Sequence, residues 1–387
     1  MAATARWEDI LEAVGMTPRP TPNPRWSAVA GAVILGLLVV IGLLSTRLHL
    51  PAATPAAPPV ADYGPPPAGV PLLYVKDPNH PSWLIGFDWS GKPRATVKLD
   101  PAIDSVGMAP NGQSFAVGFG AKGGTGELLD RLGQPVRGAS GAIPGSALPI
   151  WADDYQHTCG VSFDQQTFVS TLVTLAPGQA VKAVAELGKD QSLPNTFRIA
   201  SCSFRNDQAI VVRSNAQGEP SELLAVRLSN GQLISHYALD SPELLSNVVA
   251  SPDSTLVAEN SSKSEVEGPF TAPTTIRRVS DWAVVDTAQA GIVVLAFNSD
   301  DSLLLFGIRP LTGGQPTTLS ISDLASGQEL WSYGGPGIFG NAIGQPGGKD
   351  FAIYVRKRDG DDPLADLMIV HAEGYVTDFP RRYQPAW

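Results

Sequence analysis

The nine residues "ASPDSTLVA" (250–258) set a tight polar turn, Pro252-Asp253-Ser254, between two apolar runs. Asp and Ser side chains bond their own backbone within a turn, so the stretch reads as strand, turn, strand. The pattern recurs in "MAPNGQSFAV" (108–117), "WADDYQHTCGV" (151–161), "SFRNDQAIVV" (203–212), "NSDDSLLLF" (298–306) and "GQPGGKDFAI" (344–353). The turn residues Asn111, Asp154, Asp207, Asp253, Asp301 and Gly347 lie 43, 53, 46, 48 and 46 apart. A period of this length suits a four-stranded unit repeated around an axis.

A second turn follows in each unit, at Gly91, Gly133, Gly178, Gly231, Asp281, Gly327 and Gly374. Gly, Asn and Asp permit the positive φ that short hairpins need. Flanking runs such as "AIVVRS" and "LLLFGI" have strand length and strand composition. Gly and Pro together supply 73 residues, which favours a turn-rich β architecture.

Seven second turns stand against six first turns. The first unit, "LLYVKD…WLIGFDWSGKPRATVKL", therefore begins at its second strand and lacks the innermost one. An unfilled edge invites aggregation. The tail "RRYQPAW" (381–387) remains after the seventh unit and is expected to fill the gap. The expected fold of residues 72–387 is all-β: a seven-bladed propeller of four-stranded blades.

The "SPDS" turn at 251–254 resembles the Ser-Pro-Asp-Gly turn of WD-repeat-like and TolB-like propellers. That resemblance implies the fold and no particular ligand. "SISDLASGQELW" (320–331) is similar to the docking motif of quinoprotein repeats, which would imply a redox cofactor. Asp323 and Trp331 lack counterparts in "AVRLSNGQLI" (225–234) and "VTLAPGQAVK" (173–182), where a cofactor scaffold would repeat them. The expectation is an Asp bonded to its own turn and a Trp packed between blades, with no cofactor.

The first seventy residues are organised differently. From Ser27 to Leu44 the chain runs "SAVAGAVILGLLVVIGLL", eighteen residues without a charge. At ~1.5 Å per residue this roughly matches a hydrocarbon core. A signal peptide has a shorter apolar region and a shorter leader, so a retained transmembrane helix over 26–46 is expected. Arg6, Arg19 and Arg25 precede the span and Arg47 alone follows closely, which predicts a cytoplasmic N-terminus and a cell-membrane protein with its bulk outside. In the tail 1–25, Trp7, Ile10, Leu11 and Val14 fall on one helical stripe, either an interfacial helix or a docking peptide for a cytoplasmic partner. Residues 47–71 form a linker; eight prolines within 51–71 favour extended geometry, a semi-rigid stalk of about 60 Å at most.

Residues 1–70 carry four basic and four acidic side chains, so the whole net charge of −10 lies beyond them. An acidic ring argues against nucleic acid and anionic lipid surfaces as partners. The longest connections, at 118–127, 138–148, 261–275, 309–318 and 356–366, all join second to third strands or successive blades. They therefore share one face, where a protein partner is expected. Because the chain enters at a second strand, the stalk is expected to arrive on the opposite, tight-turn face.

Cys159 and Cys202 are the only cysteines; placed outside the membrane on neighbouring blades, they are expected to form a disulfide. Asp359, Asp361 and Asp362 could offer oxygen ligands to Ca²⁺, but without the spacing of a known loop the expectation is a solvated hairpin and no metal. The five histidines show no zinc-ligand spacing, and no Gly-x-Ser-x-Gly elbow or phosphate loop occurs. No catalytic residue is assigned. The reading is a membrane-tethered scaffold for a protein or envelope ligand. The alternatives are a quinoprotein-like or hydrolytic propeller enzyme, and a sensor signalling through the N-terminal tail.

Overall fold

Strands of strictly alternating side chains bury both faces only if another sheet covers each. In Gln208–Ser214, Ala209 and Val211 pack into one apolar cluster while Ile210 and Val212 pack into the next. The first cluster joins blades 3 and 4 and the second joins blades 4 and 5. Every central strand is thus apolar on two sides, and each blade depends on its neighbours.

The computed structural model describes residues 62–387 except Ala102, Asp104, 120–124, 137–148, Gln165, Pro177, 190–195, 216–217, 240–244, 262–272, 289–290, 309–316, 336–337, 357–365, 380–382 and Trp387. Within these residues the strands form seven antiparallel sheets, six of four strands and one of three. The predicted span 26–46 and the stripe Trp7, Ile10, Leu11 and Val14 lie outside the described residues. Among those described, no helix is long and apolar enough to cross a membrane.

Blade 1 consists of Leu73–Asp77, His80–Phe87 and Pro93–Lys98, and Gln384–Pro385 supplies its innermost strand. Val75 pairs with Pro385 and Lys76 with Gln384. The Ala386 carbonyl accepts the Met108 amide of blade 2 at 2.8 Å, so the tail stitches both sides of the closure. Blade 2 has Ser105–Met108, Ser114–Phe119 and Thr125–Asp130. Among the described residues its fourth strand is the bridge of Leu129 to Pro135, beside which the Val136 amide donates to the Leu128 carbonyl at 3.1 Å.

All six first turns and all seven second turns join the strands expected of them. The left-handed residue sits one place later than predicted in four of them: Gly112, Tyr155, Ser254 and Trp282 rather than Asn111, Asp154, Asp253 and Asp281. At the last, the Trp282 ring is buried and stacks on Tyr237 of blade 4, which overrides the aversion of a bulky residue to φ of 55°.

Second turns also touch the neighbouring blade. At Gly231 (φ 72°) an added Cβ would lie 2.1 Å from the Val184 carbonyl of blade 3; at Gly327 (φ 67°) it would meet nothing within 4 Å. Gly327→Ala should lose only the backbone term, about 1 kcal/mol, whereas Gly231→Ala should lose at least about 3 kcal/mol. Thermal melting of the two variants checks this; equal losses would refute the interlocking of these turns.

Residues 62–71 lie on the ring. The Thr96 amide donates to the Gly64 carbonyl at 2.8 Å and Asp62 pairs with Lys98, so the chain first climbs the outer edge of blade 1. It then crosses the tight-turn face, where Arg131 bonds the Pro66 carbonyl and Gln113 holds Gly69 and Val70. The chain does cross the tight-turn face, yet it reaches that face from the rim. The entry at a second strand fixes only the final step of its path.

Candidate functional site

The innermost strands surround a channel whose mouth opens among the first turns. A cavity of about 250 Å³ there is lined by Ile150, Trp151, Ala200, Leu295 and Ala342, together with Ser201. The wall is mostly apolar. Ser201 is buried and its hydroxyl has no hydrogen-bond partner.

Around this mouth, the first turns of neighbouring blades are tied to one another. Asp153 of blade 3 accepts the Ser203 hydroxyl at 2.7 Å and the Phe204 amide at 2.9 Å from blade 4. Asn206 and Gln208 of blade 4 donate to the Asp253 and Ser254 carbonyls of blade 5 at 2.8 and 2.7 Å. Burial first, and then the charge of Asp253 in blade 5, push the Asp301 carboxyl of blade 6 up to about 8. Ser299 of blade 6 accepts the Gly347 amide of blade 7 at 3.0 Å.

Other turn carboxylates face inward on their own hairpins. Asp88 accepts the Ser90 and Lys92 amides, and Asp130 those of Leu132 and Gln134. Asp323 Oδ1 accepts the Ser326 amide and hydroxyl at 2.8 and 2.7 Å, and these donors hold its carboxyl below the usual range. Trp331 stacks beside Tyr333 and lies against Gly374 of blade 7, where an added Cβ would come within 2.9 Å of its ring. Both residues of the quinoprotein-like motif are therefore occupied by the scaffold.

Three histidines, which show no metal spacing in the sequence, are paired with carboxylates: His80 with Asp77 at 2.7 Å, His157 with Asp154 at 2.6 Å, and His371 with Asp350 at 2.8 Å. Each ring also stacks on an aromatic side chain, Trp83, Phe204 and Tyr375 respectively. The first two pairs carry a legible Asp-x-x-His signal. The third spans 21 residues and has none. His371 Nε2 meets the Thr377 hydroxyl at 3.1 Å, giving a carboxylate, imidazole and hydroxyl in series. That imidazole is buried, and the Thr377 methyl packs over Gly91 of blade 1, so the series braces the seam between blades 7 and 1.

Cys159, in the second strand of blade 3, and Cys202, in the innermost strand of blade 4, have their sulfurs joined at 1.98 Å with Cα atoms 6.1 Å apart. Asp359, Asp361 and Asp362 lie outside the described residues. Among the described residues no group of three or more His, Cys, Asp or Glu side chains converges as a metal site would.

The chain is a seven-bladed β-propeller. No family profile and no curated protein sequence matches it. Among solved structures, an uncharacterized protein from Listeria monocytogenes covers 75% of this chain and 86% of its own length, at 13% identity and a TM-score of 0.52. TolB from Acinetobacter baumannii covers 73% and 64% at 15% identity, with a TM-score of 0.43. The Swd1 propeller domain from Myceliophteria thermophila covers 74% and 93% at 11% identity, with a TM-score of 0.42. At 13% identity the first of these likenesses speaks to fold alone.

Proposed function

We propose that this propeller is tethered to the cell membrane by residues 26–46 and acts by binding a protein or envelope ligand outside the cell. The observation that carries the binding reading is the use of the turn carboxylates. Asp88, Asp130, Asp153, Asp253 and Asp323 give their oxygens to hairpins and blade seams, and the channel mouth has a mostly apolar wall. Polar groups committed to the frame hold a scaffold rigid, and rigid scaffolds bind through their longer loops. The uncharged run at 27–44 and the paired cysteines favour an anchored, extracytoplasmic ring.

The test is site-specific photocrosslinking in intact cells. Probes placed within 261–275 and 309–318 should each capture the same protein or envelope component. A probe at Leu233 or Val284 on the outer rim should not. Capture from the rim positions and not from the loops would refute the assigned face. Release of the chain from membranes by alkaline carbonate would refute the anchor.

A further inference from the structure

We infer that the channel mouth binds a small, uncharged, largely apolar molecule, the size of a substituted benzene ring, anchored by a hydrogen bond to Ser201. The site lies among the first turns, on the face opposite the loops assigned above to a protein or envelope ligand. The two readings therefore stand or fall separately.

Size and wall chemistry define the class of ligand. The cavity holds about 250 Å³. An apolar cavity of roughly 150 Å³ stays dry and takes up benzene, so this one admits a ring with small substituents. Among the described residues no Lys, Arg or His lines it, so an anion would meet no cation there. The charged side chain in the wall is Asp153, whose oxygens already accept the Ser203 hydroxyl and the Phe204 amide. A cationic ligand would have to displace those bonds.

Two of the wall residues are placed there by bulges. In the innermost strand of blade 4, Phe197–Ser203, Ile199 pairs with Val211 and Ser201 with Ile210, which leaves Ala200 as an extra residue. In that of blade 6, Ile292–Phe297, Val294 pairs with Phe306 and Ala296 with Leu305, and Leu295 is the extra one. A bulge bends its strand and re-aims a side chain, at the loss of ladder pairing. Ala200 and Leu295 both line the cavity. Closing a ring gains nothing from such interruptions, whereas shaping a pocket on its axis does. Tyr155 of blade 3, also in the wall, stands at φ 57°, which a bulky residue adopts only where its surroundings impose it.

Ser201 supplies the polar anchor. It is 5% exposed, and its hydroxyl has no hydrogen-bond partner. A buried hydroxyl left unpaired carries a penalty that a ligand oxygen would relieve. A water would need roughly two to four polar partners to settle there, and the wall around Ser201 is mostly Ile150, Ala200, Leu295 and Ala342. Serine turns on a single side-chain torsion, so the hydroxyl can swing to meet a ligand atom as donor or acceptor.

The probe is p-cresol, and the readout is the methyl resonances of Ile150, Ala200, Leu295 and Ala342 in the full chain held in detergent. These should shift saturably, with a Kd of about 1 mM or tighter. p-Xylene, which has the same shape without the hydroxyl, should shift the same methyls, and 4-methylbenzoate should shift none. Ser201→Ala should weaken p-cresol roughly threefold to tenfold, the strength of one hydrogen bond, and leave p-xylene unchanged. Because the lost hydroxyl is unpaired, that variant should also melt no lower than wild type. Ala200→Phe fills the cavity and should abolish both bindings; Ala342→Leu fills it from blade 7 if Ala200→Phe does not fold. Shifts that fail to saturate, or 4-methylbenzoate binding as tightly as p-cresol, would overturn the site. So would a Ser201→Ala variant that treats p-cresol and p-xylene alike, or binding that survives the filled cavity.

Discussion

Deleting residues 383–387 should convert a cooperatively melting ring into an opened one that aggregates. Tyr383 is 6% exposed, with its ring edge-on to Phe87 at 5.6 Å and to Phe379 at 6.5 Å. Ala386 is fully buried and bonds to Tyr74 on one side and Met108 on the other. Removing them exposes the apolar surface of one aromatic side chain, roughly 3 kcal/mol, and leaves an unpaired edge on Leu73–Asp77. With the lost ladder bonds the total is on the order of 5 kcal/mol, a large part of the stability of most domains. Tyr383→Ala separates packing from pairing and should lose about 3 kcal/mol without opening the edge. Thermal melting and limited proteolysis check both variants. A truncated chain that melts like the intact one would show that closure does not depend on the tail.

Replacing Cys159 and Cys202 together by Ala should lower stability nearly as much. Their bond closes a loop of sequence separation 43, which in the chain-entropy model corresponds to about 4 kcal/mol. The sulfurs lie in the apolar cluster between blades 3 and 4, with Leu172, Phe197 and Val211 around them, so Ala retains the apolar character of the site. Reductant should lower the melting point of wild type to that of the double variant and leave the variant unmoved. Mass analysis of protein taken from cells should show a gain of two hydrogens on reduction. A chain isolated with two free thiols would contradict both the bond and the oxidising compartment proposed for the ring.

Much of this fold is legible because its elements are local. The turns at Asn111-Gly112 and Pro252-Asp253-Ser254 announce themselves through residues that bond their own backbone, and their spacing alone counts the blades. The tail's role follows from arithmetic: six inner hairpins cannot close seven units. The contacts around the channel mouth are different in kind. Asp153 and Ser203 occupy successive repeats, and nothing nearby in either segment marks the other as its partner. His371 and Asp350 are equally silent, whereas Asp77-x-x-His80 and Asp154-x-x-His157 carry their pairing in four residues.

The path of residues 62–71 shows the same division. Their prolines specify an extended chain, but the outer edge of blade 1 and the side chains of Gln113 and Arg131 decide where that chain lies. By itself, then, the sequence determined what hydrogen bonding and apolar alternation act on within a few residues: strands, turns, their period and the need for closure. The tertiary structure alone decided which first turns meet across a seam, that His371 finds Asp350, and where residues 62–71 lie. Those contacts depend on the rotation of one sheet against the next, and no short-range rule encodes that rotation.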